Sequence, residues 1–267
     1  DGQFQVNFTG YTDVDIKFYF RRSGNGGKIK FSDQSTLRYD GSGYQEITGF
    51  GDLQDSIIYN NVVVDIAEDP SSDRKIPELV LLKSYGELVS KVMIEGQLTL
   101  NQGILVADYD IFSAGFEEVV FGQDAAVVGA KEVSYINGVV SKRGNTPFIF
   151  PVGHDDGPRQ ISVLDNNEFQ TSDLIRVNPL DNFCGLTDSL LIKSALIRDR
   201  TKEDWEVTAL LSDNNVAATF EPIVSDKVAE GITDFTSLEL IDFFDGSSLG
   251  NGFNTDTSFQ SALEYDF

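Results

Sequence analysis

The chain has 267 residues, 40% hydrophobic and 11% aromatic, enough to bury one sizeable core or two modest ones and too apolar for a disordered polymer. Its 43 Asp and Glu against 20 Lys and Arg give a formal charge of -23, which repels phosphate backbones and anionic lipids. Nucleic acid and direct membrane insertion are therefore not expected.

One cysteine, Cys184, and one histidine, His154, leave no internal disulfide, no cysteine zinc site and no paired-histidine zinc helix. No apolar run approaches the roughly 18 residues of a membrane helix, and no basic-plus-apolar export signal opens the chain. The first residue is Asp1 rather than Met, as expected of a processed protein or a piece of a longer one. No cofactor is expected. Calcium is the one candidate, because exposed carboxylates attract hard divalent cations.

In chain order, apolar and polar residues alternate from Phe4 to Phe20, as in Phe4-Gln5-Val6-Asn7-Phe8, the period of two of half-buried strands. The turn residues Ser23-Gly24-Asn25-Gly26-Gly27 precede a short strand at Lys28-Ile29-Lys30-Phe31. Similar punctuation recurs at Asp40-Gly41-Ser42-Gly43, at 69–73 and at Asn101-Gln102-Gly103. Between these stand short apolar runs: Ile57-Ile58-Tyr59, Val62-Val63-Val64, Leu79-Val80-Leu81-Leu82, Val92-Met93-Ile94, Leu98-Thr99-Leu100, Ile104-Leu105-Val106, Val119-Val120-Phe121 and Val127-Val128. Such runs stack as rungs of a β-solenoid, each supplying a few inward aliphatics. They follow no strict period, so an irregular solenoid and a sandwich both stay open. Helical patterns are confined to Ser84–Ser90 and Leu190–Arg198, too short to set the fold.

The stretch Ser134-Tyr135-Ile136-Asn137-Gly138-Val139-Val140-Ser141-Lys142-Arg143-Gly144, continuing through Phe148-Ile149-Phe150-Pro151-Val152-Gly153, resembles the "YVNG … FPVG" element of large secreted surface proteins of the Bacteroidota. Upstream, Tyr59-Asn60-Asn61-Val62-Val63-Val64 is similar to their "FYNLTI" strand. The run Gly96-Gln97-Leu98-Thr99-Leu100-Asn101-Gln102-Gly103-Ile104-Leu105 is similar to their "G-x-L-T-L-x-x-G-x-L" rung, and Asp204-Trp205-Glu206-Val207 to a following "W-x-V" strand. The resemblance implies an adhesin-like cell-surface protein exported by the type IX route. The same element has a purely physical reading. Asn137-Gly138 is the pair that two-residue hairpin turns prefer, a second turn falls at Arg143-Gly144-Asn145, and Pro151 ends the strand Phe148-Ile149-Phe150.

Each chemical candidate has a plain alternative. His154-Asp155-Asp156 suits a metal or acid–base cluster but also a solvated turn. Asp108 and Asp110 flank Tyr109 on one strand face, as paired carboxylates, a calcium site or a polar surface opposite a buried tyrosine. Asp165-Asn166-Asn167 and Asp213-Asn214-Asn215 read as hairpin turns. Trp205 alternates with Val207 and Ala209, a core pattern, which leaves Tyr39, Tyr44 and Phe253 as loop residues able to stack on sugars. Asp55-Ser56-Ile57 and Asp188-Ser189-Leu190 match an O-glycosylation pattern associated with the same phylum.

The expected fold is all-β, an irregular β-solenoid-like part at 1–130 followed by a β-sandwich at 131–267. The expected function is a non-catalytic extracellular or cell-surface module, structural or adhesive, within a larger secreted protein. Its partners would be surface proteins, surface glycans or tandem copies, and no catalytic, cofactor or metal residues are assigned. The alternative is a carbohydrate-active β-solenoid enzyme, or a glycan-binding accessory module, using carboxylates and calcium.

Overall fold

The computed structural model describes residues 29–31, 33–49, 57–68, 77–82, 90–107, 117–130, 133–154, 157–165, 169–181, 203–210, 217–222, 239–241, 248–251 and 264–266. These residues are all-β, with parallel sheets and no helix. The alternating segment 4–20 and most of both helical patterns lie outside them, and Ser90 opens a strand.

The first strands are β1 (Ile29–Lys30), β2 (Thr36–Tyr39) and β3 (Tyr44–Thr48), followed by β4 (Ile57–Tyr59), β5 (Asn61–Asp65) and β6 (Glu78–Leu82). Next come β7 (Ser90–Ile94), β8 (Gln97–Gln102) and β9 (Ile104–Ala107), then β10 (Glu117–Phe121), β11 (Ala126–Val128) and β12 (Ile136–Arg143). From β1 to β9 each strand pairs in parallel with the strand three places on, and β12 pairs in parallel with both β9 and β10. In ladder one, Ile29, Ile57, Val92, Val119 and Val140 stand in register on β1, β4, β7, β10 and β12. In ladder two, Leu37, Val62, Leu98 and Val127 align on β2, β5, β8 and β11. In ladder three, Gln45, Leu79, Leu105 and Ile136 align on β3, β6, β9 and the start of β12. The chain thus passes through the ladders in one fixed order. The apolar runs are the strands, and their alternate residues, such as Ile57, Val62, Leu79, Val92, Leu98 and Leu105, form one buried cluster.

Asn61 holds a corner between ladders one and two. Its Nδ2 donates to the Ser35 carbonyl at 3.2 Å, and its Oδ1 accepts from the Gln97 amide at 3.0 Å, so one side chain ties three successive circuits. Gly96 makes room for it: a Cβ there would lie 2.6 Å from Asn61 Oδ1.

β12 differs from the hairpin that Asn137-Gly138 suggests. Both residues lie inside one strand, which pairs through Ile136–Gly138 with β9 and through Val139–Lys142 with a different neighbour, β10. The strand bends from ladder three into ladder one at Gly138, whose φ of 128° side chains rarely adopt. A Cβ there would sit 1.5 Å from the Ala107 carbonyl oxygen. Sequence offers the same dipeptide to a turn and to a strand corner, and the close approach of β9 decides between them. The second expected turn is present, with Gly144 at φ 81°.

Beyond β12 the pairing changes sense. β13 (Phe148–Phe150) stands in the chain where ladder two would continue, yet it pairs antiparallel with β16 (Ile161–Asp165). β14 (Val152–His154) adds to ladder three beside β12 and is followed by β15 (Gly157–Pro158). β17 (Leu174–Asp181) pairs antiparallel with β12, and β18 (Glu203–Leu210) with β17. β19 (Ala217–Pro222) joins β16 to β22 (Glu264–Asp266), and β20 (Glu239–Ile241) pairs with β21 (Ser248–Asn251).

Gly138→Ala should cost at least about 3 kcal/mol, because an unfavourable φ and a main-chain overlap act together. Gly41→Ala, whose Cβ would meet only the movable Nε2 of Gln45, should keep the parent melting temperature. Thermal denaturation of the two variants measures the contrast, and equal melting points would contradict the corner.

Candidate functional site

The most concentrated group of buried charges lies on the sheet face of ladder one opposite the core. On β10, Val119 and Phe121 point into the core, so Glu118 and Val120 point the other way. That second face is buried too, since Ile58, Met93, Val120 and Val139 are all at most 6% exposed. Glu118 is fully buried there. Its Oε1 accepts from Arg176 Nε at 2.9 Å and from the Ser141 hydroxyl, while Lys91 Nζ lies 2.9 Å from Oε2. The Lys91 contact is ionic, because no donor among the described residues is in hydrogen-bonding alignment with Oε2. Burial alone would push the carboxyl pKa up. The Lys91 ammonium and Arg176 guanidinium, with the hydrogen bonds from Arg176 and Ser141, outweigh it and hold the pKa below its ordinary value. An ionised carboxylate fixed at both oxygens is poorly suited to proton transfer. It clamps β7, β10, β12 and β17 together.

Lys142 is a second buried cation. In register it follows Tyr59, Ile94 and Phe121 along an inward row of ladder one. Its ammonium donates to the Gln123 carbonyl, to the Arg143 carbonyl at 2.7 Å and to Thr146 Oγ1 at 3.0 Å, and it lies 5.5 Å from the Phe148 ring centroid. Burial pushes its pKa down to about 8, partly opposed by the Asp124 carboxylate. The lysine stands within the apolar row, between Phe121 and the buried Ile175 of β17, and bonds the carbonyls of the adjoining turns. Neither group was singled out from sequence. The available signal was a charge placed in strand alternation with apolar residues, as in Lys91-Val92-Met93-Ile94 and Glu118-Val119-Val120-Phe121.

The residues proposed from sequence are not brought together by the described structure. His154 ends β14, half-buried, and its carbonyl accepts the Tyr135 hydroxyl at 2.7 Å, while Asp155 and Asp156 lie outside the described residues. So do Asp108, Tyr109, Asp110, Asn166, Asn167, Asp213, Asn214, Asn215 and Phe253, and both serines of the glycosylation patterns. Asp165 is in β16 opposite Thr219, and Ile57 is fully buried in β4. Trp205 lies in β18 opposite Pro179. Tyr39 is a strand residue, half-buried against the core rather than displayed on a loop, because its alternation with Leu37 turns both inward. Burial raises its phenol pKa, with a further push from Tyr59. Tyr44 opens β3 and is 48% exposed. Phe148 and Phe150 are buried and Ile149 is 50% exposed, the alternation expected of that strand.

The outward face of ladder two is accessible, and that of ladder three in part, since Ile104, registered with Glu78, is buried. Ladder two presents Thr36, Arg38, Gln97 and Val128, with Arg38 paired to Asp40 at 3.1 Å and to Asp65. Ladder three presents Tyr44 and Glu78 in one registered pair, then Glu46, Val80, Val106 and Asn137 in the next row.

Glu118→Gln should lower stability at neutral pH by about 3 kcal/mol, leaving the buried Lys91 and the half-buried Arg176 without their counter-charge. A carboxylate with a depressed folded pKa stabilises above its unfolded pKa and loses that contribution as pH falls through the folded one. The gap between parent and variant in urea titrations should therefore narrow on acidification, and a gap constant with pH would refute the clamp. The Phe148 ring lies 5.0 Å from Phe121 and 5.1 Å from Phe150. Phe148→Ala and Phe150→Ala should each cost about 3 to 5 kcal/mol, read as a lower melting temperature. Comparison of the chain with family models, curated proteins and solved structures returned no match.

Proposed function

We propose that the chain is a non-catalytic structural or adhesive module of a secreted or cell-surface protein, its parallel part an irregular β-solenoid and its antiparallel part a β-sandwich. The observation that carries this reading is the fixed circuit through three parallel ladders around one row-built core. Such an architecture offers long, flat side-chain surfaces. The buried charges support it further, since Glu118 and Lys142 are engaged in joining strands and turns. The extracellular placement rests on the resemblance of Ser134–Gly153 to the surface-protein element, and the net charge of -23 suits a crowded exterior kept apart by repulsion. Partners of this class are surface glycans, other surface proteins or neighbouring units of the same polypeptide.

Incubation of the chain with pectins, alginates and bacterial or algal glycans should release no product, followed by reducing-end and unsaturated-uronate assays. Reproducible product that disappears in Asp108→Asn or Asp110→Asn would instead establish the carbohydrate-active enzyme.

A further inference from the structure

We propose that the edges of β2 and β3 are docking surfaces for the chain's own segment Phe4–Phe20, which adds one strand to ladder two and one to ladder three. Among the described residues, β2 ends the sheet that runs to β11, and β3 ends the sheet that runs through β6 and β9 to β12, so each has a strand on one side only. The core marks the same end. Val62, Leu98, Val64 and Leu100 in the inner circuits are fully buried, whereas Leu37 and Tyr39, registered with Val62 and Val64, are only half-buried. A parallel edge with the last row of its core half-covered is what stacked-circuit folds close with a terminal strand.

The spacing of the ladders says which residues close it. The chain visits ladders one, two and three in turn, so the strand before β1 belongs to ladder three and the one before that to ladder two. From a registered position in ladder three to the next in ladder one is 12 residues at Gln45 to Ile57, 13 at Leu79 to Val92 and 14 at Leu105 to Val119. Counting 13 back from Ile29 reaches Ile16, the centre of Val14-Asp15-Ile16-Lys17-Phe18. Ile16 stands beside Gln45 and Phe18 beside Ile47 on the core side, which places Lys17 on the outer side next to the exposed Glu46, an opposite-charge pair across neighbouring strands. Phe4-Gln5-Val6-Asn7-Phe8 supplies the ladder-two strand, with Val6 and Phe8 on Leu37 and Tyr39. The 10 residues from Val6 to Ile16 lie between the 7 from Leu98 to Leu105 and the 17 from Val62 to Leu79 that join the same ladders later.

A second copy is the less suitable occupant. The far end of the array carries β14 and β15 in ladder three and the antiparallel β17 and β18 in ladder one, so it does not present a matching set of parallel edges. The segment is also tethered: eight residues, 21–28, separate it from β1 and keep it at high local concentration.

The test is a disulfide trap in the full chain carrying Cys184→Ser, with Lys17→Cys and Glu46→Cys introduced together and cross-linking on mild oxidation followed by peptide mass mapping and non-reducing electrophoresis. Registered neighbours on parallel strands, about 4.8 Å apart, lie within disulfide reach. Positions 17 and 46 should therefore link within one chain, at a yield independent of protein concentration. Lys17→Cys with Arg38→Cys, which belong to different ladders, should not link. Ile16→Asp and Phe18→Asp should each lower the melting temperature, and Asp15→Ala, on the outer side, should keep it. No link between positions 17 and 46, equal linking of the pair at 17 and 38, or parent melting temperatures in both core-side variants would overturn the assignment. A link between chains that grows with concentration would overturn it in favour of a neighbouring copy. Each of these failures leaves the non-catalytic reading standing, because product release alone decides that reading.

Discussion

A parallel strand cannot return to its neighbour through a tight turn, and the rest of the described structure follows from that restriction. Each strand of ladder one has to be left behind for ladders two and three before the chain comes back one strand spacing further on. Side chains at equivalent positions then stack in rows, Ile57 on Val92 on Val119 and Val62 on Leu98 on Val127, and burial of these rows supplies the cohesion that isolated strands lack. The circuits need not be equal. Registered positions in ladder one fall at 29, 57, 92, 119 and 140, with connections of different length accommodated outside the paired strands.

Polar groups are admitted where this stacking would otherwise leave backbone or charge exposed to a low dielectric. Asn61 supplies side-chain hydrogen bonds at the corner where ladder two begins. Lys142 interrupts an apolar row between Phe121 and Ile175, where turn carbonyls converge and an aliphatic would leave them without its hydrogen bonds. Glu118 sits between strands on a doubly buried face, where removing its charge entirely or pairing it fully are the two low-cost arrangements. The chain uses the second, with a lysine from β7 and an arginine from β17.

Strand existence was legible because apolar runs bounded by Gly, Asn and Asp are local. Eight such runs fall on strands β4 to β11, and the β13 alternation at Phe148-Ile149-Phe150 was equally readable. Partnership was not legible, because pairing depends on residues distant in the chain and unequal circuits hide the period. Asn137-Gly138 shows the difference: its conformational freedom is written in the dipeptide, but whether that freedom makes a turn or a corner depends on Ala107 thirty-one positions earlier. The Glu118 group was missed for the same reason, since Lys91, Ser141 and Arg176 come from three other strands. Tyr44 was found as an exposed ring, whereas its registered partner Glu78 is a fact of the ladder alone.

β12 is hydrogen-bonded to β9 and β10 in parallel and to β17 antiparallel, so a single eight-residue strand belongs to both kinds of sheet. Stacked circuits in contact only with their neighbours ordinarily loosen from an end, one at a time. Here the terminal circuit on the β12 side cannot fray alone, because releasing it also strips the antiparallel strands of the neighbour they were built on. The shared strand acts as a cooperative lock: the described parallel rows and the antiparallel pair β17 and β18 stand or fall together.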